Sequence, residues 1–450
     1  MNENAGKKVL LLTVGAGSAE KLEETIITPF KKSFESGEWD RIILFPSKAT
    51  EATALLLAER FPQFPIEIRA LRKEGQEEDA DACFQQFDGA ISEIVAQGYP
   101  PSDITADITR GTKAMSAALL MAAMVHQAGH VRYISAERRD SATGMTTPGA
   151  ERICDVVPAQ ILLKLKVNQA FDYLRAGNYR AVENLFPGAP KKLYPGHFKE
   201  EIRFLAWAAL FWGAWDRFDY KTASDLGRRD SLPAAAPASI EPFLPSGEQI
   251  ELLQKLSGTA PPKSADNPGF CRALCADLLA NAARRFREGQ NEEVLVRLYR
   301  VLELMGQLRL FTHGIDAGAA SLANDAVRAW WESSDDRPKP DSEGTLKLGR
   351  LQAARLLEFV ENRAGVPEKQ RIAAKLADLK QWLGDWGPEM RNTSVLIHGF
   401  KARSRKREQE LEKVLDKVRQ FYFDEQEGNQ KLFAAAQFPF LTQSGPAAAI

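Results

Sequence analysis

Arg391 and His398 are the two side chains whose types and spacing are best suited to catalysis in this 450-residue sequence. They stand seven positions apart, between Pro388, which suits the first turn of a helix, and Gly399, which suits its end. Seven positions make about two helical turns, so we expect both side chains on one face of a helix. Asn392 is the polar neighbour of Arg391 in this candidate catalytic group.

These residue types suit the cleavage of RNA. The imidazole of His398 can accept a proton from a ribose 2′-hydroxyl or donate one to a departing 5′-oxygen. Arg391 can hold the phosphate and stabilise the charge that grows in the transition state. Neither role requires a metal, and no group of carboxylates that would hold one is evident in the sequence. Spacing alone leaves a simpler alternative, in which His398 only stabilises the C-terminal end of a helix.

The distribution of charge indicates local rather than general contacts with nucleic acid. The chain has 59 Lys and Arg residues against 60 Asp and Glu residues, a net charge of −1, which excludes a polycation that coats nucleic acid. Five basic residues follow the candidate catalytic helix: Lys401, Arg403, Arg405, Lys406 and Arg407. This basic patch is either a solvated helix start or a track for an RNA backbone. No compact basic recognition helix is evident, so we expect no stable binding of DNA.

A second candidate site is the turn formed by Thr109, Arg110, Gly111, Thr112 and Lys113. Gly111 permits a tight connection between a strand and a helix that begins near Thr112. Arg110 and Lys113 place positive charge at the positive end of that helix dipole, and the two threonines add hydroxyl groups. The spacing is not that of a P-loop. The turn therefore predicts binding of an anionic, phosphate-bearing ligand, with a purely structural turn as the alternative.

Two other strand ends carry residues that suit the same ligand. Gly15 and Gly17 let backbone amides approach a ligand closely, and Ser18 can cap a helix or donate to an anion. A tight turn with no ligand would explain the two glycines equally well. Ser47 follows the second predicted strand and would lie nearby. Because Glu20 stands where a dinucleotide fingerprint requires glycine, the sequence argues against NAD binding.

The composition indicates an ordinary globular protein. Hydrophobic residues make up 44% and charged residues 26%, which excludes disorder over most of the chain. The four cysteines are too few for a disulfide framework, and we expect Cys271 and Cys275 to be buried free thiols. No signal peptide or run of about 18 apolar residues is evident, and we expect no membrane association and a cytoplasmic location.

The elements that must position these residues fall into two classes. Short apolar strands alternate with helices over the first 157 residues, which predicts a doubly wound, Rossmann-like parallel sheet. The predicted strands are 8–13, 41–45, 65–71, 103–107 and 130–135, with a possible antiparallel strand at 150–157. The predicted helices between them are 19–34, 49–60, 78–97 and 112–128.

Beyond Pro158 the pattern is helical throughout. The predicted helices are 159–175, 199–215, 269–288, 292–310, 349–363, 367–383, 388–398 and 401–423, and residues 437–450 are predicted to form a tail. We therefore expect an α/β domain at 1–157 and an all-helical region at 158–450, in which connector helices precede the domain that carries the catalytic helix at about 388–398.

The two candidate sites together resemble one family. Residues 107–116 (DITRGTKAMS) resemble the strand-four signature of CARF domains, the CRISPR-associated Rossmann folds, which commonly read D-[IL]-T-G-G-T-K-x-M. The stretch from Arg391 to His398 is similar to the R-x(4–6)-H motif of HEPN ribonucleases. A CARF domain followed by a helical HEPN half resembles the ancillary ribonucleases of type III CRISPR systems, over about residues 8–425. Arg110 departs from the signature, since glycine is common there.

This resemblance implies an antiviral endoribonuclease that cleaves single-stranded RNA without a catalytic cofactor. Its activator would be cyclic oligoadenylate, either tetra- or hexa-adenylate, bound by the CARF domain. The positions that match the ring-binding site are Gly15, Ser18, Thr109, Arg110, Gly111, Thr112 and Lys113, and Ser47 would neighbour the ligand at the end of the second strand. The resemblance is also compatible with slow cleavage of the ring at this site.

Members of the family act as homodimers, which suits a symmetric ring because each protomer meets it with the same groups. Arg391 and His398 of both protomers would then form one composite cleft, whose geometry ligand binding shifts. The alternative function is a cyclic nucleotide sensor whose helical half is catalytically inactive and binds or regulates a partner.

Overall fold

The computed structural model describes residues 6–17, 19–136, 151–156, 158–188, 198–228, 238–258, 268–335, 337–377 and 408–441. The chain divides into two compact units, Met1–Asn168 and Gln169–Ile450, which we call the α/β unit and the helical unit. The helix Pro158–Arg175 runs across this division.

A six-stranded sheet forms the centre of the α/β unit. Its strands are β1 (Val9–Val14), β2 (Arg41–Pro46), β3 (Ile66–Ile68), β4 (Ile104–Asp107), β5 (His130–Ala136) and β6 (Glu151–Val156). They lie in the order β3-β2-β1-β4-β5-β6, in which β1 to β5 are parallel and β6 is antiparallel to β5. The prediction of a doubly wound parallel sheet is confirmed, and so is the antiparallel last strand.

Helices cover both faces of the sheet because alternate side chains of its strands are apolar on both sides. Leu10 and Leu12 of β1 pack with α1 (Thr28–Phe34) and α2 (Glu51–Arg60). Val9 and Leu11 pack on the opposite face with α3 (Ala80–Ala96) and α4 (Lys113–Val125). Both faces of β1 are therefore buried, and only the carboxyl end of the strand is left to contact a ligand.

The segment before α1 differs from the continuous helix predicted at 19–34. It consists of a 3-10 turn at Ala19–Lys21 and a π-helical turn at Glu23–Ile27 before α1 begins at Thr28. Pro29 lies in the first turn of α1 and has no N–H to donate to the carbonyl of Thr25, so a regular α-helical ladder cannot continue through it.

The helical unit contains the second part of α5 (Pro158–Arg175) and the helices that follow it. These are α6 (Tyr179–Leu185), α7 (Lys199–Asp216), α8 (Tyr220–Leu226), α9 (Gly247–Leu256), α10 (Pro268–Arg287), α11 (Asn291–Thr312), α12 (Asp325–Ser333), α13 (Arg350–Arg363), α14 (Ala373–Ala377), α15 (Glu408–Glu425) and α16 (Asn429–Ala435). Two two-residue strands, β7 (Ala320–Ser321) and β8 (Thr345–Leu346), pair between α11 and α13. The prediction of a helical second half is confirmed, although five of its shorter helices (α6, α8, α9, α12 and α16) were not predicted.

The core of the helical unit lies among α10, α11, α13 and α15. Leu279 of α10, Leu298 of α11, Leu357 of α13 and Val418 of α15 are fully buried there. Cys271 and Cys275 of α10 are also buried, and burial raises the pKa of the Cys271 thiol to about 11. The expectation that these two cysteines are buried free thiols is confirmed.

The prediction of a tail at 437–450 is wrong for its first residues. Phe438 and Phe440 are 4% and 7% exposed, and their rings lie 4.6 and 4.9 Å from that of Trp212. Aromatic rings bury a large apolar area, which outweighs the absence of helical spacing in this segment. Residues 442–450 lie outside the described part of the chain.

Candidate anion-binding site

The candidate site lies where β1 and β4 end side by side. The two strands are parallel and adjacent, with Leu12 opposite Asp107. The chain runs outward from β1 to β3 and then returns to place β4 on the other side of β1. In an open parallel sheet, the carboxyl ends of strands at such a reversal form the crevice where ligands bind.

Two glycines bring the turns after these strands into contact. A Cβ atom at Gly15 would lie 2.6 Å from the backbone nitrogen of Gly111. Gly111 has φ +99°, in the left-handed region that favours glycine, and a Cβ there would lie 2.9 Å from Cβ of Thr13. Both positions therefore require glycine for backbone packing, and any larger residue at position 15 would cover the amide of Gly111.

Asp107 anchors the turn after β4 from inside the protein. Its carboxylate accepts hydrogen bonds from Ser33 Oγ at 2.5 Å, from the backbone N–H of Thr109 at 2.9 Å and from the hydroxyl of Thr109. Burial raises the pKa of Asp107, although these hydrogen bonds and the charge of Arg132 oppose that effect. Asp107 thus fixes the turn rather than facing a ligand.

The two threonine hydroxyls of the turn already have partners. Thr109 Oγ1 donates to Asp107 and accepts from the backbone N–H of Ile134 at 2.9 Å. Thr112 caps α4 by accepting from the N–H of Met115 at 3.2 Å, and it donates to the carbonyl oxygen of Glu77. Both side chains therefore hold the scaffold together in this conformation.

Ser47 has a similar structural position at the end of β2. It is 5% exposed, its Oγ lies 3.2 Å from Oγ1 of Thr50, and its backbone N–H donates to the same Thr50 oxygen at 2.9 Å. Thr50 in turn donates to the carbonyl oxygen of Val14 at 3.0 Å. These hydrogen bonds join the ends of β1 and β2. Ser18, the other serine predicted to belong to the site, lies outside the described residues.

Arg110 and Lys113 are the cations of the site. Lys113 is the first residue of α4 and is exposed, so its ammonium group can meet an anion at the positive end of the helix dipole. Arg110 is half-buried, and its burial lowers the pKa of the guanidinium. Its Nε is inaccessible to water and has no hydrogen-bond partner among the described residues. The site therefore combines backbone amides with two cations, as phosphate binding requires.

The sequence did not identify the residues that hold this turn in place. Ser33 of α1 donates a hydrogen bond to Asp107. Thr13 of β1 donates one to the carbonyl oxygen of Arg110. The sequence signal for the role of Asp107 is its place at the end of a buried strand. A carboxylate there must find hydrogen-bond donors inside the protein. Its partner Ser33 comes from a distant part of the chain and has no local signature.

The second candidate site, Arg391, Asn392 and His398, lies outside the described residues, as does the basic patch at 401–407. The structure describes the chain on either side, where α14 ends at Ala377 and α15 begins at Glu408. Among the described residues, no three His, Cys, Asp or Glu side chains are grouped so that they could hold a metal ion. None of the described helices is both long and apolar enough to cross a membrane.

The comparisons with known proteins agree with both parts of this architecture. Residues 265–422 match the family model described as the Csm6 HEPN domain, and this range includes Arg391 and His398. Among 26 similar solved chains is Csm6 of Enterococcus italicus bound to cyclic hexa-2′-fluoro-hexa-dAMP. It is 14% identical in sequence with a TM-score of 0.56, and the match covers 96% of this chain and 98% of that one. No curated protein matches the sequence.

The resemblance to CARF–HEPN proteins of type III CRISPR systems is therefore confirmed. The family model covers part of the helical unit, and the structural similarity extends the common fold to nearly the whole chain. The predicted boundary at residue 157 and the individual site residues stay predictions.

Proposed function

We propose that this protein is a metal-independent endoribonuclease of type III CRISPR defence that cleaves single-stranded RNA when it binds cyclic oligoadenylate. The observation that carries this proposal is the match of residues 265–422 to the Csm6 HEPN domain, within which Arg391 and His398 have the R-x(4–6)-H spacing. In the proposed reaction, His398 moves the proton, and Arg391 and Asn392 hold the phosphate.

The proposed activator binds at the carboxyl edge of the sheet. The similar Csm6 from Enterococcus italicus binds a cyclic hexa-adenylate analogue, so we propose the six-membered ring as the first ligand to test and the tetra-adenylate as the second. Gly15 and Gly111 would bring backbone amides to the ring, and Arg110 and Lys113 would neutralise its phosphates. Thr109, Thr112 and Ser47 would contribute by holding these groups in place, together with Ser18 from the first turn.

A homodimer is supported by exposed apolar side chains on the α/β unit. Met121 and Val125 stand one turn apart on the outer face of α4 and are 42% and 62% exposed. Ile161 and Leu165 of α5, 45% and 56% exposed, repeat this spacing. Exposed apolar side chains that repeat at helical spacing are compatible with an interaction surface on these helices. Since α4 begins at the proposed ring site, a second protomer on this helix would present the same groups to the ring.

RNA cleavage with and without cyclic hexa-adenylate, in the presence of EDTA, tests this function. We expect ligand-dependent cleavage by the wild type, and a loss of about 100-fold or more for His398→Ala and Arg391→Ala, because general acid–base catalysis contributes about 10²- to 10⁴-fold. Asn392→Ala should lose less. His313→Ala is the matched control, because it removes a histidine of the helical unit outside the motif and should retain activity.

Each alternative gives a different result in the same assay. Ring binding without any cleavage would favour a sensor with an inactive helical half. Cleavage that EDTA abolishes would exclude metal independence. Full activity of both Arg391→Ala and His398→Ala would show that the active site lies elsewhere in the chain.

A further inference from the structure

Arg110 occupies an unfavourable position for a charged group. Its side chain is half-buried, its Nε has no partner among the described residues, and burial lowers the pKa of the guanidinium. Proteins normally pair such a cation, because an unpaired buried charge loses its hydration without gaining a hydrogen bond or an ion pair. The described part of the chain therefore supplies no hydrogen-bond partner for the Nε of Arg110, which leaves this cation open to an anionic ligand.

Arg110 lines a narrow crevice on the face of the sheet that α1 covers. The residues that line this crevice together with Arg110 include Thr13, Pro29, Phe30, Ser33, Asp107 and Ile134. Asp107 is the nearest negative group and attracts Arg110, but its oxygens already accept bonds from Ser33 and Thr109. Arg110 is thus held near Asp107 by charge and by packing, without a hydrogen-bonded ion pair between the two.

Hydrogen bonds fix the backbone at this position, whereas none joins the Nε of the side chain to another described residue. The hydroxyl of Thr13 donates to the carbonyl oxygen of Arg110, and Ser116 Oγ lies 3.4 Å from the same oxygen. The adjacent Gly111 is packed against Gly15. A change in the position of Arg110 is therefore confined to rotation of its side-chain bonds.

The opposite wall of the crevice belongs to the irregular segment before and within α1. Pro29, Phe30 and Ser33 of α1 line it, directly after the π-helical turn Glu23–Ile27. Single π-helical turns occur frequently at functional sites, because they interrupt the regular hydrogen bonding of a helix. Withdrawal of the guanidinium would empty part of the crevice that α1 lines, so that α1 could shift into it.

We propose that Arg110 is a two-position anion sensor. In the ligand-free protein its guanidinium lies in the crevice beside α1, and a phosphate of the activator draws it out to the carboxyl edge, where Gly15 and Gly111 meet. This inference rests on the proposed function, because the anion is the ring of that proposal. It assigns the regulatory step to the residue at which the sequence departs from the common CARF signature.

The physical consequence is that Arg110 opposes stability without ligand and favours binding with it. A group that is desolvated and unpaired in one state gains a charge-assisted hydrogen bond in the other, and the difference favours the bound state. A residue with only a structural role would behave differently, because its removal would lower stability whether or not ligand is present.

Arg110→Met tests this prediction, because methionine keeps the unbranched stem that fills the crevice and removes the charge. We expect the ligand-free melting temperature to rise by about 1 to 3 °C and the Kd for cyclic hexa-adenylate, measured by calorimetry, to increase about 10- to 100-fold. Hydrogen exchange of residues 23–34 should change on ligand addition in the wild type and not in Arg110→Met.

Lys113→Met is the matched control, because it removes an exposed cation from the same turn. It should weaken ring binding and leave both the ligand-free melting temperature and the ligand-dependent exchange of residues 23–34 unchanged. A lower melting temperature for Arg110→Met, or an unchanged Kd, would overturn the sensor role while wild-type binding still supported the proposed function. If the wild type did not bind the ring at all, the proposed function and this inference would both be wrong.

Discussion

Arg284 in the helical unit and Arg110 in the α/β unit are both arginines withdrawn at least in part from water, and they differ in what surrounds them. Arg284 donates from Nε to Asp216 at 2.8 Å and from Nη1 to the carbonyl oxygen of Ala436 at 3.0 Å. Its guanidinium lies 3.8 Å from the ring centroid of Phe438. The Nε of Arg110 has no partner among the described residues.

This difference distinguishes a charge that stabilises the fold from one that is available to a ligand. Asp277 is fully buried near Arg284 and accepts from Trp215 Nε1 at 3.0 Å and Tyr220 Oη at 2.7 Å. Around Arg284, several helices and the last described segment thus supply partners for one another. At Arg110, the carboxylate of Asp107 accepts its hydrogen bonds from Ser33 and Thr109 and none from the arginine. Arg284 has hydrogen-bond partners at Nε and Nη1, although its Nη2 has none in the described part of the chain. The two roles therefore differ in the number of hydrogen bonds that the guanidinium makes and not in burial alone.

Arg284→Ala should have the largest effect on stability. It leaves Asp216 without one of its partners and removes the contact with Phe438, and breaking a buried ion pair costs about 3 to 5 kcal/mol. The free energy of unfolding can be followed by tryptophan fluorescence, because Trp39 is the only tryptophan before residue 169. The signal therefore reports mainly on the helical unit.

Arg203→Ala provides the control for this measurement. Arg203 lies in α7 and is 3.5 Å from Glu200, with both side chains about half exposed. Such a surface pair contributes about 0 to 1 kcal/mol. Equal losses for Arg203→Ala and Arg284→Ala would contradict the view that the network around Arg284 is a main support of the helical unit.

Gly15→Ala should have an intermediate effect, located at the ligand site. The added Cβ would lie 2.6 Å from the nitrogen of Gly111, so the turns after β1 and β4 must separate. Overpacking of this kind costs about 1 to 3 kcal/mol, and we expect binding of cyclic hexa-adenylate to weaken as the Gly111 amide is covered. Denaturant unfolding and calorimetry measure the two effects.

Gly89→Ala is the matched control because Gly89 lies within α3, where an added Cβ would have no neighbouring atom within 4 Å. Alanine there should stabilise the protein by about 0.5 to 1 kcal/mol and leave ring binding unchanged. Destabilisation by Gly89→Ala, or full ring binding by Gly15→Ala, would contradict the role given to the contact between the two turns.

The fold was largely predictable from the sequence because its signals are local. Apolar runs such as 41–45 alternate with segments of helical periodicity, and this alternation alone predicts a parallel sheet covered by helices. The 3-10 and π-helical turns before α1 were not predicted, since the packing of Ile26 and Ile27 against the sheet sets that geometry and the helical period does not. Phe438 was assigned to a tail because its partners, Trp212 and Arg284, are more than 150 positions away.

The candidate site was predictable in its location and less so in its details. Gly111 and Lys113 follow from the local pattern of a strand, a turn and a helix start. The partners of Thr109 and Thr112 include Ile134 and Glu77, which no local pattern connects to the turn. Sequence spacing can therefore identify which residues share a turn, but not which of their hydroxyl groups the fold has already used.

Asp107→Asn should have the smallest effect and tests the anchor beside Arg110 through its pH dependence. Burial raises the pKa of Asp107, so the folded protein binds this proton more readily than the unfolded chain does. Its contribution to stability is therefore complete below the unfolded pKa, about 3.9, and is lost as pH rises through the folded value. Asparagine does not titrate, so the mutant should lose less stability than the wild type over that interval.

Native-state hydrogen exchange of β1 and β4 peptides between about pH 4 and 7, corrected for the intrinsic exchange rate, measures this difference in the α/β unit. If Asp107→Asn kept the wild-type pH dependence, Asp107 would not titrate in this range and Arg110 would face a permanent carboxylate. The crevice would then hold the guanidinium more firmly, and a ligand phosphate would have to overcome that attraction before Arg110 could leave.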